Sequence, residues 1–287
     1  MRRRSARGSA AKQCGPDLDR APRANSRGRV ASGVRVSGVP MPRAAGRSVP
    51  EIVVRSAPRF ARWNLAAESL ARALLGQRLV RIERGRRLSG VIVETEAYLG
   101  GDDLGSHSAG GRRTARNESM FLPGGHAYVY FVYGMHHCFN VVAAPAGEGC
   151  AALVRAIEPL EGVEGMARRA GLDSISPAEL ATRRVRRLLG AGPGKLCRSL
   201  SLDRRLDGES LAESDRLFIE RGSVIPARRI EVGSRIGIQY AGEWVNAPLR
   251  FGIASSECLS RPFAGAGDGA GAVADGIPPK RNRCVGR

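Results

Sequence analysis

Val93-Glu94-Thr95-Glu96-Ala97-Tyr98 ends a run of strand composition that starts at Leu88, and Tyr128-Val129-Tyr130-Phe131-Val132-Tyr133-Gly134 forms a second one. β-branched and aromatic residues dominate both, as a pleated, half-buried surface requires. Side chains two apart on a strand share a face. Glu94, Glu96 and Tyr98 therefore point one way if the strand runs that far, and so do Tyr128 and Tyr130. The second run holds three of the five tyrosines of a chain that is only 5% aromatic.

Working outward, Leu79–Glu83 and Leu88–Ala97 flank an Arg/Gly turn and predict a hairpin. Tyr128–Tyr133 and His137–Ala143 flank a tight turn at Gly134, and Cys150–Ile157 predicts another strand. Strands at 235–239 and 249–253 close the body. Asn64 can cap a helix over 65–75 that Gly76 terminates. A further helix is expected near 161–170. Ser176-Pro177-Ala178-Glu179 is a capping box opening a helix that ends at Gly190, followed by a short one at Lys195–Leu200. Residues 100–119 read as a long polar loop, a common setting for function. The strands follow one another without regular helical crossovers, which favours antiparallel pairing and an α+β fold.

The 287 residues carry a net charge of +19, unevenly spread. Residues 1–50 hold 12 basic against 2 acidic residues and lack hydrophobic periodicity, so they are expected to be a disordered basic tail. Residues 265–287 read as a second flexible basic tail. The body, 51–264, retains 30 basic and 23 acidic residues, which points to a polyanion partner, most simply nucleic acid. No stretch of 18 apolar residues occurs that could span a membrane. The six cysteines are scattered without a CxxC pair, which fits a reducing cytoplasm. His136-His137-Cys138 is compact but has no second ligand pair, so no metal site is expected.

A carboxylate beside aromatic plates in a basic chain suggests an enzyme that grips a flat base and attacks something next to it. Tyr133 falls on the opposite face or beyond the strand end. A Tyr followed by Gly134-Met135 at a hairpin tip exposes a group able to wedge between stacked bases.

These residues bring a family into view. Leu74-Leu75-Gly76, Val93 to Tyr98, His107-Ser108 with Gly110-Gly111-Arg112, Tyr128-Val129-Tyr130 through Met135, Arg155-Ala156-Ile157-Glu158-Pro159, Gly192-Pro193-Gly194-Lys195-Leu196-Cys197 and Gly242-Glu243-Trp244 occur in order over residues 60–255. In this the chain resembles the alkyladenine (3-methyladenine) DNA glycosylases, monofunctional enzymes that release damaged purines. The resemblance implies a single α+β domain with a curved, mostly antiparallel sheet, surrounding helices and a protruding β-hairpin.

It also implies roles. Glu96 is the general base that orients and deprotonates the attacking water, with Arg155 beside it. Tyr98, His107 and Tyr130 wall the extruded base, and Asn140 crowds the exocyclic amino group of guanine. Tyr133 fills the gap left in the helix, with Met135 alongside. Glu94 falls to a supporting position. Arg112, Arg113, Arg116 and Lys195 are the candidate phosphate contacts, Arg113 being as well explained as a solvated loop charge. The resemblance implies water as nucleophile and no cofactor. The partner is double-stranded DNA containing damaged purines, acted on by a monomer in the cytoplasm, at the nucleoid if the source is bacterial. The alternative is a non-catalytic nucleic-acid-binding protein that uses the tyrosines as a stacking platform.

Overall fold

The 13-residue strand β2 (Arg86–Tyr98) is the spine of the fold. A computed structural model describes residues 57–132 and 134–264. The expectations for residues 1–50, for 265–287 and for Tyr133 lie outside the described residues.

β1 (Arg78–Glu83) pairs antiparallel with the first half of β2 through the turn Arg84-Gly85. Both turn residues have positive φ, 49° and 72°, matching the twist of the flanking strands. Beyond residue 94 the same edge of β2 is taken over by β8 (Arg250–Ile253). β5 (Cys150–Glu161) runs along the opposite edge. From there β4 (His136–Ala143) and β3 (Ala127–Val132) extend the sheet. β6 (Leu217–Glu220) adds to β1, and β7 (Ile230–Gly233) adds to β8. All of these pairings are antiparallel, as the order of elements predicts, and the sheet is curled, as the resemblance implies.

β2 is buried on both faces, which is why its sequence reads as apolar with carboxylates set into it. Thr95 turns to one face, where its hydroxyl donates to the Ala71 carbonyl at 2.9 Å and ties the strand to α1 (Ala67–Leu74). Leu70, Leu74, Ile92, Phe139, Val154 and Phe251 belong to the core on that side. Glu94 and Glu96 turn to the other face. There a smaller apolar cluster of Met120, Phe121, Tyr128, Val142 and Ala151 underlies Tyr98 and Tyr130.

Several elements depart from the expected boundaries. α1 starts at Ala67, with Ala66 rather than Asn64 at its N-cap and no side-chain cap. The capping box at Ser176 forms, but the helix it opens, α3 (Pro177–Leu180), stops after one turn. Thr182 donates to the Glu179 carbonyl and accepts from the Val185 amide, so it ends α3 and caps a new helix, α4 (Arg183–Gly190). A short helix between α3 and the sheet, α2 (Val163–Arg169), and a last one, α5 (Pro193–Ser199), lie near their expected positions. Residues 235–239 are not a strand. Their alternation of Ile236 and Ile238 belongs to a loop facing the site, and the Ile236 amide is spent on Glu96 instead of a neighbouring strand. β6 and β7, unforeseen, supply the pairing instead. Among the described residues no helix is long and apolar enough to cross a membrane.

Candidate active site

The irregular register of β2 against β5 creates the site. Ala156 lies opposite Glu94, yet Val154 lies opposite Thr95, so Arg155 is caught in the irregularity beside both carboxylates. Bulges of this kind commonly re-aim a side chain next to a site. Arg155 Nη1 stands 3.2 Å from Glu96 Oε2, and its Nε stands 3.3 Å from Glu94 Oε1. Burial opposes the Arg155 charge, but Glu96 and then Glu94 outweigh it, so the guanidinium holds its proton more firmly than usual.

Glu96 is fully buried and accepts three hydrogen bonds. Oε2 receives the Tyr98 hydroxyl at 2.9 Å and Arg155, while Oε1 receives the Ile236 amide at 2.7 Å. Burial, then the charge of Glu96, pushes the Tyr98 hydroxyl well above its ordinary pKa, so Tyr98 is the donor in that pair. Glu94 is the structural member of the two. It pairs with Arg250 at 3.1 Å and takes both the hydroxyl and the amide of Ser260, at 2.8 and 2.5 Å.

In front of Glu96 lies a cleft of about 460 Å³ lined by Tyr98, His107, Arg116, Tyr128, Tyr130, Cys138, Asn140, Arg155, Ile236 and Ile238, among others. Glu96 itself lies one layer behind the surface, in contact with three of the lining residues. The His107 ring meets Tyr130 edge to face, centroids 4.6 Å apart, and its Nδ1 lies 2.7 Å from the Tyr128 hydroxyl. Burial, followed by the charges of Arg116 and Arg112, lowers the His107 pKa to about 4. His107 is therefore a neutral wall near neutral pH. The Asn140 side chain donates to the Tyr128 carbonyl at 3.0 Å, which fixes its amide in the cleft wall.

The remaining expected residues divide. Arg116 reaches the cleft, with its guanidinium 5.7 Å from the Tyr130 ring and a bond to the Phe131 carbonyl at 3.2 Å. Arg112 and Lys195 are exposed and do not line the cleft. Arg113 is exposed but engaged, held by Glu118 at 2.5 Å and stacked over Phe121. Its charge is therefore already paired within the chain. Met135 stands 71% exposed at the tip of the β3–β4 hairpin, where Gly134 adopts φ +69°. Sequence reasoning missed Arg235, Ile236 and Asp103, because a loop residue that donates its amide to a carboxylate leaves no periodic signal. Tyr128 shares a face with Tyr130 as the sequence predicts, but its bond to His107 has no sequence mark.

A family model for methylpurine-DNA glycosylase matches residues 61–257. The chain is 44% identical over 201 residues to the human DNA-3-methyladenine glycosylase, covering 69% of this chain and 66% of that protein. It is 44% identical over 210 residues to the mouse DNA-3-methyladenine glycosylase, covering 72% of this chain and 61% of that protein. A Bacillus cereus protein, provisionally named 3-methyladenine DNA glycosylase, is 46% identical over 186 residues, 63% of this chain and 88% of its own length. The chain thus spans less than two thirds of the length of the two mammalian relatives.

Proposed function

Because the chain belongs to the methylpurine-DNA glycosylase family, we propose that it removes alkylated purines, and deaminated ones such as hypoxanthine, from DNA by hydrolysing the N-glycosidic bond. The observation that carries this reading is the buried Glu96 behind an aromatic cleft large enough for one purine. A base inside a duplex cannot reach such a cleft, so the nucleotide swings out of the stack. The cost is a few kcal/mol and is least at damaged pairs. The base then lies with Tyr98 on one side and the His107–Tyr130 pair on the other. A ring made cationic by alkylation gains about 0.5–2 kcal/mol against such faces.

Glu96 supplies the chemistry. A carboxylate offers about four lone-pair sites. Three are filled, and the open one is on Oε1, beside the Ile236 amide. A water placed there gives up its proton to Glu96 as it attacks C1′, and the purine leaves with the bonding pair. Positive charge spreads over the sugar ring in the transition state, which the carboxylate stabilises. Arg155 holds Glu96 by Oε2 and keeps the carboxylate aimed. Every group invoked comes from one chain, so a monomer suffices, acting wherever the DNA is, in the cytoplasm at the nucleoid of a bacterium.

The test is release of free base from duplex DNA containing 3-methyladenine or hypoxanthine. Glu96→Gln should slow the single-turnover rate by about 10²- to 10⁴-fold while lesion DNA still binds. Wild-type rates in that variant remove Glu96 from the chemistry, and binding without base release by the wild type makes the tyrosines a stacking platform only.

A further inference from the structure

Arg235 and Asp103 form a bidentate ion pair with both side chains at 0% exposure, Nη1 to Oδ2 at 2.6 Å and Nη2 to Oδ1 at 2.7 Å. Neither residue touches the space where a base would lie, and burying a charged pair has a desolvation cost that often cancels its attraction. A role beyond stability is therefore to be sought in what the pair joins.

It joins two loops. Asp103 also accepts the amides of Leu99 and Gly105, both at 3.0 Å, and so folds the start of the polar loop that carries His107. A Cβ at Gly105 would lie 2.8 Å from Arg235 Nη2 and would push on the pair. Arg235 donates in addition to the Ala97 carbonyl at 3.0 Å, on the strand between Glu96 and Tyr98. Its guanidinium lies 4.8 Å from the Tyr98 ring centroid. The next residue is Ile236, whose amide holds Glu96 Oε1.

We propose that Asp103 and Arg235 are positioning residues for the hydrolysis, a clamp that fixes the Ile236 amide on Glu96 and the plane of the Tyr98 ring. The clamp rests on the reading of Glu96 given above. It works through geometry. The fork of Arg235 cannot engage Asp103 and the Ala97 carbonyl together without setting the backbone of residue 236, and that backbone sets one oxygen of the carboxylate. Displacements of about 1 Å at a reacting group can cost on the order of 10²-fold in rate.

The experiment is single-turnover base release with full-length enzyme in saturating excess over 3-methyladenine duplex. Under these conditions the rate constant is independent of the fraction of protein that is folded. Asp103→Asn and Arg235→Met should lower this rate constant by about 10- to 100-fold, with the Kd for DNA carrying an abasic analogue within about threefold of wild type. Arg235→Lys keeps the charge but loses the fork, and should fall between wild type and Arg235→Met. It also keeps the test open if Arg235→Met does not fold. Rate constants within about twofold of wild type for both Asp103→Asn and Arg235→Lys, with only melting temperature or active fraction reduced, overturn the clamp and leave a purely structural pair. Glu96→Gln runs beside them. Full activity there overturns the reading of Glu96, whereas an inactive Glu96→Gln beside fully active clamp variants removes the clamp alone.

Discussion

Arg155 stands between Glu94 and Glu96, 3.3 Å from one carboxylate and 3.2 Å from the other, on a single guanidinium that is almost wholly buried. The two acids look equivalent along the strand, but their other partners separate them. Glu94 also holds Arg250 and Ser260, so it ties β2, β5, β8 and the segment after β8 together. Replacing it takes from the buried Arg250 the carboxylate it pairs with and leaves Arg155 with Glu96 alone. We expect Glu94→Gln to cost about 3–5 kcal/mol of stability by urea denaturation. Glu96→Gln should cost less, because Arg155 keeps Glu94. A smaller loss for Glu94→Gln than for Glu96→Gln contradicts this division.

His107 gives a pH dependence whose sign follows from its surroundings. Its pKa is lowered to about 4 in the folded protein from an ordinary 6.5, by burial and then by Arg116 and Arg112, with the Tyr128 and Tyr130 rings closing the rest. On acidification the unfolded chain takes up this proton first. The stability linked to His107 is complete above about pH 6.5 and is lost as the pH falls towards about 4. Imidazole resonances of His107 should titrate with a midpoint near 4, and a midpoint near 6.5 refutes the buried neutral state.

Asn140 is held in the cleft wall by the Tyr128 carbonyl, so its amide cannot swing aside for a larger base. Asn140→Ser removes bulk without disturbing β4. Release of guanine-type bases, which carry the extra amino group, should rise relative to adenine-type lesions by about 10-fold, measured as a ratio of kcat/KM values. An unchanged ratio denies Asn140 a part in selection.

The basic residues around the cleft differ in whether their charge is free to meet phosphate. Arg112→Ala, Arg116→Ala and Lys195→Ala should each reduce the slope of log Kd against log salt by about 1. Arg113→Ala should leave the slope unchanged, because Glu118 already answers that charge. A full unit lost on Arg113→Ala would show that DNA displaces the Glu118 pair.

What the sequence made legible follows from the range of the forces involved. β-Branched and aromatic composition located β2 and β3, and the shared face of Glu94 and Glu96 is visible in their common partner Arg155. The capping box at Ser176 was readable because it is a local hydrogen-bond pattern. Thr182, one turn later, uses the same chemistry to break the helix, and a continuing apolar face at Val185 and Leu189 hid that break. Ile236 and Ile238 alternate as a strand would, yet their burial comes from the cleft. Arg235 is 132 residues from its partner Asp103, a distance no local pattern spans.

A wedge at the hairpin tip would separate extrusion from chemistry. Met135 is 71% exposed beyond the last paired residues, Val132 and His136, and Tyr133 precedes it in sequence. An apolar side chain held out at a turn is of the kind that wedges into an unstacked base step. If the tip enters the duplex, its loss matters only where a stack has to be opened. We expect Tyr133→Ala and Met135→Ala to slow base release from a fully paired duplex by about 10-fold or more. On a lesion opposite a gap or in a single strand, where the nucleotide is already free to swing, both variants should act close to wild type. Glu96→Gln should fail on both substrates alike, because chemistry is lost whichever way the base arrives. Equal losses for the tip variants on paired and unpaired substrates remove the wedge role and place these residues in the chemical step or in general binding.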